Sequence, residues 1–364
     1  MTSTSSTSRP LIPVFDGHND TLLNLHSPER GKGRSFFTCS DIGHIDLPRA
    51  RQGGLAGGFF GIFVPAPTGF ATGVADNPGI TLTENGYAVP MDAPLDPAYA
   101  AEYTNAVMQE LFSLEAASGG ELQVVRDADQ LDRCLTSGTL AAVLHFEGAE
   151  ALHPDLSNLE GYYQRGLRSI GIVWSRPNAF GWGVPFAYPS SPDTGPGLTP
   201  AGKDLVRACN RLGIVVDLAH LNEKGFWDAA SLTAAPLIVT HSAVYALTPK
   251  SRNLTDRQLD AVAASNGVVG ITFTRYDVAT SGSLEGDVPL SETVRHIQYM
   301  VQRMGADHVA FGSDFDGTHI SDEMGDVTGL PRLIDLLRDA GLNEAKLRKL
   351  AHENWERVLR ETWK

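Results

Sequence analysis

The stretch LAAVLHFEGAE, residues 140–150, is apolar at odd and even positions alike from Leu140 to Leu144, and then presents His145, Glu147 and Glu150. A strand with one face in water alternates apolar and polar side chains, whereas a strand covered on both faces need not. The stretch therefore predicts a buried strand of a parallel sheet, with a carboxylate, Glu147, at its carboxyl end.

Seven further runs repeat the pattern, at 12–17, 55–64, 168–174, 213–219, 236–240, 267–273 and 308–313. Amphipathic segments lie between or after them at 98–117, 158–166, 199–212, 223–231, 255–264, 290–304, 329–340 and 343–361. Thr199-Pro200 and Thr255-Asp256 read as helix starts and Gly213 as a helix end. Eight such strands joined by helices predict an α/β fold, a closed (β/α)8 TIM barrel. The barrel is expected as a single domain over 11–364, after a short flexible leader over 1–10. Two stretches rich in Pro and Gly, 65–97 and 176–198, are expected as long loops after the second and fourth strands. They fall on the rim where barrels build active sites from their βα loops.

Polar residues recur at the same place on these strands. VFDGHNDTL at 14–22 offers His18 and Asp20, two apart and so on one side of a strand. VDLAH ends in His220, IVTH in His241, and FGSDFDG carries Asp314 and Asp316. Five strands ending in His, Asp or Glu are hard to explain by packing, because an unpaired buried charge is costly. The set predicts a metal site. Imidazoles mixed with carboxylates suit Zn2+ or a similar transition metal, whereas Mg2+ and Ca2+ prefer oxygen alone. His18, Asp20, Glu147, His220 and His241 are too many for one catalytic zinc with an open position, and fit two ions sharing a carboxylate. Two ions about 3.5–4 Å apart can hold a bridging water, lower its pKa towards about 7 and polarise a carbonyl, which is hydrolase chemistry. A further carboxylate must move the proton, and Asp314 is the candidate.

The bulk composition agrees. With 42% hydrophobic and 20% charged residues the chain can bury a large core. A formal charge of −14 speaks against nucleic acid or an anionic membrane as partner. No apolar run approaches the roughly 20 residues of a membrane span. Cys39, Cys134 and Cys209 are scattered, which points to a reducing, cytoplasmic setting rather than to disulfides or a thiolate zinc site.

With these residues in place the sequence resembles the membrane (renal) dipeptidase family, zinc metallopeptidases of the amidohydrolase superfamily. The likeness runs from DGHND at 16–20 through E-G at 147–148, DLAH at 217–220, THSAVYALTPKSRN at 240–253 and GSDFDG at 312–317 to the C-terminal helices. It implies an amidohydrolase-like metal-dependent hydrolase with two Zn2+ ions per subunit, a small dipeptide as substrate and a homodimer. His18 and Asp20 would bind one zinc, His220 and His241 the other, and Glu147 both. Asp314 matches the family's catalytic aspartate, and Arg252 an arginine that holds the substrate's C-terminal carboxylate, a task suited to a planar fork. A D-residue at the C-terminal position is expected to be tolerated. Two positions depart from the family. Its histidine near the end of the fourth strand is absent; Trp174 stands there, expected beside the substrate, with Arg176 a candidate replacement donor. The histidine that usually follows the bridging glutamate is also missing, and EGAEAL puts Glu150 there. Phe180 and Trp182, in the second long loop, are candidate pocket aromatics.

The reading is thus a metallo-dipeptidase that attacks the peptide carbonyl with a metal-bridging hydroxide. Its rivals are an amidohydrolase acting on another small amide, such as an N-acyl amino acid, and a non-catalytic barrel that retains the metal site.

Overall fold

The structure is a computed structural model that describes residues 10–67 and 74–364. Apart from Pro10, the expected leader lies outside the described residues, as does the part of the first long loop at 68–73. Eight parallel strands pair in chain order: β1 (Val14–Asn19), β2 (Leu55–Phe63), β3 (Leu140–Glu147), β4 (Ser169–Gly171), β5 (Val215–Asp217), β6 (Ile238–Ser242), β7 (Val268–Ile271) and β8 (Val309–Phe311). Every residue of β1 and β3 is buried, as the unalternating pattern requires. Residues 57–63 of β2 run in register with 141–147 of β3, which fixes the height of Glu147 on the rim.

The barrel is nearly closed. Between β8 and β1 a single parallel bridge joins Asn19 and Phe315, and the backbone N–H groups of Asp20 and Asp314 donate to the carbonyls of Phe315 and His18 at 2.7 and 2.9 Å. The seam therefore sets the first ligand-bearing segment directly against the last. One apolar cluster lies between strands and helices; a second fills the barrel, with Phe15, Phe59, Val143, Val215 and Ile238 from the strands and Trp355 from the last helix. The Trp355 indole N–H donates to Phe311 O at 2.9 Å, so the aromatic plug leaves no unmet polar atom there.

The expected helices form, and their starts follow capping chemistry. Thr199 accepts from the Gly202 N–H, Thr255 and Gln258 make a capping box, and Gly213 ends its helix at φ 74°. Several elements depart from expectation. Helices Leu47–Gly53 and Ala128–Ser137, and the short strand Leu122–Val124 beside β3, form in segments for which the sequence predicts no element. The expected helix 343–361 is broken by a π-helical turn over Lys349–Glu353, after which Asn354 donates to Ala306 O and Val309 O. The two long loops are not structureless: Thr81–Thr83, Gly86–Val89 and Phe186–Tyr188 form a small antiparallel sheet that joins them.

Candidate active site

The strand ends bring the predicted residues to one rim. His18 and His241 stack with ring centres 4.1 Å apart. The Oε2 of Glu147 lies 3.6 Å from His18 Nε2, and its Oε1 lies 3.0 Å from His220 Nε2 and 3.6 Å from His241 Nε2. Asp20 Oδ2 is 3.5 Å from His18 Nε2. Three sets of potential ligand atoms each fall within 4.8 Å of one another: His18, Asp20 and Glu147; Glu147, His220 and His241; and His18, His241 and Asp314. Glu147 belongs to two of them.

Local sequence makes this convergence possible. Gly61 on β2 faces His18, where a Cβ would sit 2.8 Å from the imidazole Cε1. A Cβ on Gly317 would fall 2.1 Å from Asp20 Oδ2 and 2.5 Å from Asp314 Oδ1, so the two carboxylates approach over a bare backbone. His220 and Asp314 adopt φ 63° and Asp316 φ 68°. Left-handed backbone at a non-glycine costs of order 1 kcal/mol and persists where the surroundings over-determine it, often at functional sites.

Behind the rim stands a layer the sequence reading left without roles. Asp217 Oδ2 accepts the Thr240 hydroxyl proton at 2.7 Å, so the Thr240 oxygen is left to accept Nδ1–H from His241 at 2.9 Å. That arrangement fixes the His241 tautomer and leaves an Nε2 lone pair aimed at Glu147 and His220. Ser175 Oγ lies 2.8 Å from His220 Nδ1. Thr274 Oγ1 donates to Asp314 Oδ2 at 2.8 Å, and Asp16 takes both the N–H and hydroxyl of Ser313. Asp16 and Asp217 sit inside motifs already singled out, DGHND and DLAH. Alternation puts Asp16 on the same side as His18, whereas the Asp217–Thr240 contact crosses strands and has no signal along the chain. His145 belongs to none of the three ligand sets: its Nδ1 meets Ser169 Oγ at 2.9 Å, its ring packs edge-on against His18 with centres 5.5 Å apart, and burial holds its pKa well below the usual histidine value.

Electrostatically the site calls for positive charge. Burial and the nearby Arg252 and His18 keep His220 and His241 neutral, with pKa values well below the ordinary one. Burial alone would depress His18 as well, yet the Glu147 and Asp20 carboxylates outweigh it and raise His18 to about 10. Both ring nitrogens of His18, and Oδ1 of Asp20, are buried without a hydrogen-bond partner. Buried lone pairs and carboxylates with no protein donor fit bound cations. Burial also lifts Asp314 to about 7 and Glu147 well above the usual glutamate value.

A cavity of about 570 Å3 opens over this cluster, lined by Asp20, Glu147, His220, Arg252 and Asp314 on the rim side. Arg252 anchors one arm of its guanidinium on His241 O at 2.8 Å. Trp174 lines the cavity, and the loop aromatic beside it there is Phe186. Phe180 is instead fully buried in the core, and neither it nor Trp182 reaches the cavity. Arg176 does not take the place of the missing histidine: its guanidinium pairs with Glu150 at 3.0 Å and does not line the cavity.

The profile of the membrane dipeptidases, peptidase family M19, matches residues 9–364. The chain belongs to this family. It is accordingly a hydrolase of peptide bonds, a dipeptidase, on a nearly closed barrel of eight parallel strands. A metallo peptidase from Rhodobacter sphaeroides, solved with a phosphinate mimic of the dipeptide L-Ala-D-Ala, superposes with a TM-score of 0.92 at 43% identity, over 97% of this chain and 100% of that one. A Klebsiella pneumoniae protein known only from its place in the pqqA 5′ region is 46% identical over 270 residues, which are 74% of this chain and 98% of that protein. The dipeptidase tcpJ of Claviceps purpurea is 30% identical over 352 residues, 95% of this chain and 76% of its own length.

Proposed function

We propose that this dipeptidase works with two Zn2+ ions, one held by His18 and Asp20, the other by His220 and His241, with Glu147 joined to both. The observation that carries the proposal is the position of Glu147, whose two oxygens face different imidazoles at 3.0–3.6 Å. Its mixed imidazole and carboxylate donors favour zinc over magnesium or calcium. Bound there, the ions would supply Lewis acidity, lowering the pKa of a water and polarising the substrate carbonyl.

The residues of the chain do the rest. Arg252 would hold the free C-terminal carboxylate and so confine turnover to short peptides. Thr274 occupies one oxygen of Asp314, leaving Oδ1 to take the proton of the attacking water and return it to the departing amine nitrogen. Without cations burial lifts this carboxyl to about 7, so it starts more basic than an ordinary carboxylate, and bound cations would bring it down from there. Tolerance of a D-residue at the C-terminal position is supported by the L-Ala-D-Ala mimic held by the R. sphaeroides relative. The setting we propose is a homodimer in the cytoplasm; no helix among the described residues is long and apolar enough to cross a membrane.

A panel of L,L and L,D dipeptides beside N-acyl amino acids tests the reading. Hydrolysis of the dipeptides is expected, and activity confined to N-acyl amino acids would overturn it in favour of the related amidohydrolase chemistry.

A further inference from the structure

Three consecutive residues just beyond β4 go to three places. Trp174 faces the cavity, Ser175 reaches His220, and Arg176 is completely buried. Burying a guanidinium is expensive unless it is paired and its donors are used. Here its Nε donates to Glu150 Oε1 at 3.0 Å, and one terminal nitrogen donates to the Val64 carbonyl at 2.5 Å. The group thereby ties together the loops after β2, β3 and β4. Its carbon also lies 5.2 Å from the ring centre of Trp174 and 5.3 Å from that of Phe63, within range of a cation–π contact with both.

Trp174 is thus backed by charge on one side and open to the cavity on the other. Its indole packs 4.9 Å from Phe63 and 5.5 Å from Phe186, and stands 5.9 Å from the His220 ring. Leu23, Phe63 and Trp174 form one buried apolar cluster against which Phe186 packs, and all four line the cavity beside the rim. The remaining wall is mixed: Glu29, Asp76 and Asp92 stand there with Lys250 and the apolar Val74 and Val89.

Resting on the dipeptidase reading, we propose that Arg176, paired with Glu150, is a positioning residue that holds Trp174 in place, and that Leu23, Phe63, Trp174 and Phe186 form a subsite for an apolar side chain of the dipeptide. The two places where the sequence departs from its family are then one device: the glutamate and the tryptophan are linked through Arg176. Substrates with an aliphatic or aromatic side chain in this subsite gain the burial of apolar surface.

The test compares kcat/KM for Leu-Ala with Gly-Ala, and for Ala-Leu with Ala-Gly, in the zinc-loaded wild type, Arg176→Met and Glu150→Gln. A larger side chain in an apolar pocket is worth about tenfold or more, so the wild type is expected to favour leucine by that factor at one of the two positions. In both variants this ratio is expected to fall by about fivefold or more, through KM rather than kcat, at unchanged zinc content. A merely structural role would lower the rates for all four substrates together and leave the ratio where it was, which would overturn the proposal. Should Arg176→Met not fold, the double variant Arg176→Met/Glu150→Met removes both charges at once and is read in the same way. A flat leucine-to-glycine ratio in a wild type that hydrolyses dipeptides would overturn this inference alone. Absence of any dipeptide hydrolysis would overturn it together with the reading on which it rests.

Discussion

Asp16 reaches across the barrel seam to Ser313, accepting the backbone N–H with Oδ1 and the hydroxyl with Oδ2, each at 2.7 Å. A side chain here does the work of a strand ladder, because β1 and β8 share little regular pairing. The Ser313 hydroxyl also lies 3.1 Å from His18 O, so the clasp sets the distance between a proposed ligand and its neighbour Asp314. Burial lifts Asp16 to about 6 in spite of these donors. Asp16→Asn keeps an acceptor for the N–H and a donor for the hydroxyl, and is expected to cost about 1 kcal/mol. Asp16→Ala strands a buried N–H and is expected to cost about 2–4 kcal/mol and to lower metal content. Urea denaturation with metal analysis of both variants checks this; equal costs would contradict it.

Asp314→Asn retains the shape and an oxygen for Thr274 but not the basicity. Its kcat is expected to fall by about 10²–10⁴-fold with zinc content unchanged. Because burial holds the carboxyl at about 7 and bound cations would lower it, the wild-type kcat should rise with pH through a limb at or below about 7. That limb should be missing from the residual activity of the variant. An unchanged rate would remove Asp314 from the mechanism.

Arg252→Met is expected to raise KM for free dipeptides by about 10–100-fold, the loss of a charge-assisted contact, and to matter little for dipeptide amides. Steady-state kinetics on the paired acids and amides reads this directly. An equal effect on both would show that Arg252 acts only by bracing His241 O.

His296 supplies an acid-sensitive element away from the site. It is buried, and its Nδ1 accepts the Val244 N–H at 3.1 Å just beyond the His241 strand. Burial is the main cause that depresses its pKa to about 4. The unfolded chain, with the ordinary value of 6.5, binds this proton first, so the contribution is whole above 6.5 and is lost as pH falls towards 4. The gap corresponds to about 3 kcal/mol. Melting temperature followed from pH 7 to 4 should therefore drop less in His296→Gln than in the wild type; parallel curves would contradict this.

Much of the architecture was legible because burial on both faces leaves a plain mark. The eight barrel strands are apolar without alternation, and His18, Asp20, Glu147, His220, His241 and Asp314 all follow such runs. What escaped has different physics. Thr81–Thr83 and Phe186–Tyr188 are three residues each, and pair through Gly86–Val89 across about a hundred residues of chain, so no local periodicity could announce them. The helix Ala128–Ser137 did carry a signal, since Asp127 caps it by accepting from the Gln130 N–H. The two departures, Glu150 after β3 and Trp174 after β4, look independent along the chain, and the Arg176–Glu150 contact joins them. Phe180 reads along the chain as a loop aromatic, but its loop covers core and the side chain is buried there.

The proposed two-metal site is decided by the number of ions Glu147 gathers. Mass-spectrometric metal analysis of the purified, active protein is predicted to give two zinc equivalents per chain, falling with the activity in Glu147→Gln. Full dipeptidase activity from protein that carries one equivalent or none would contradict it.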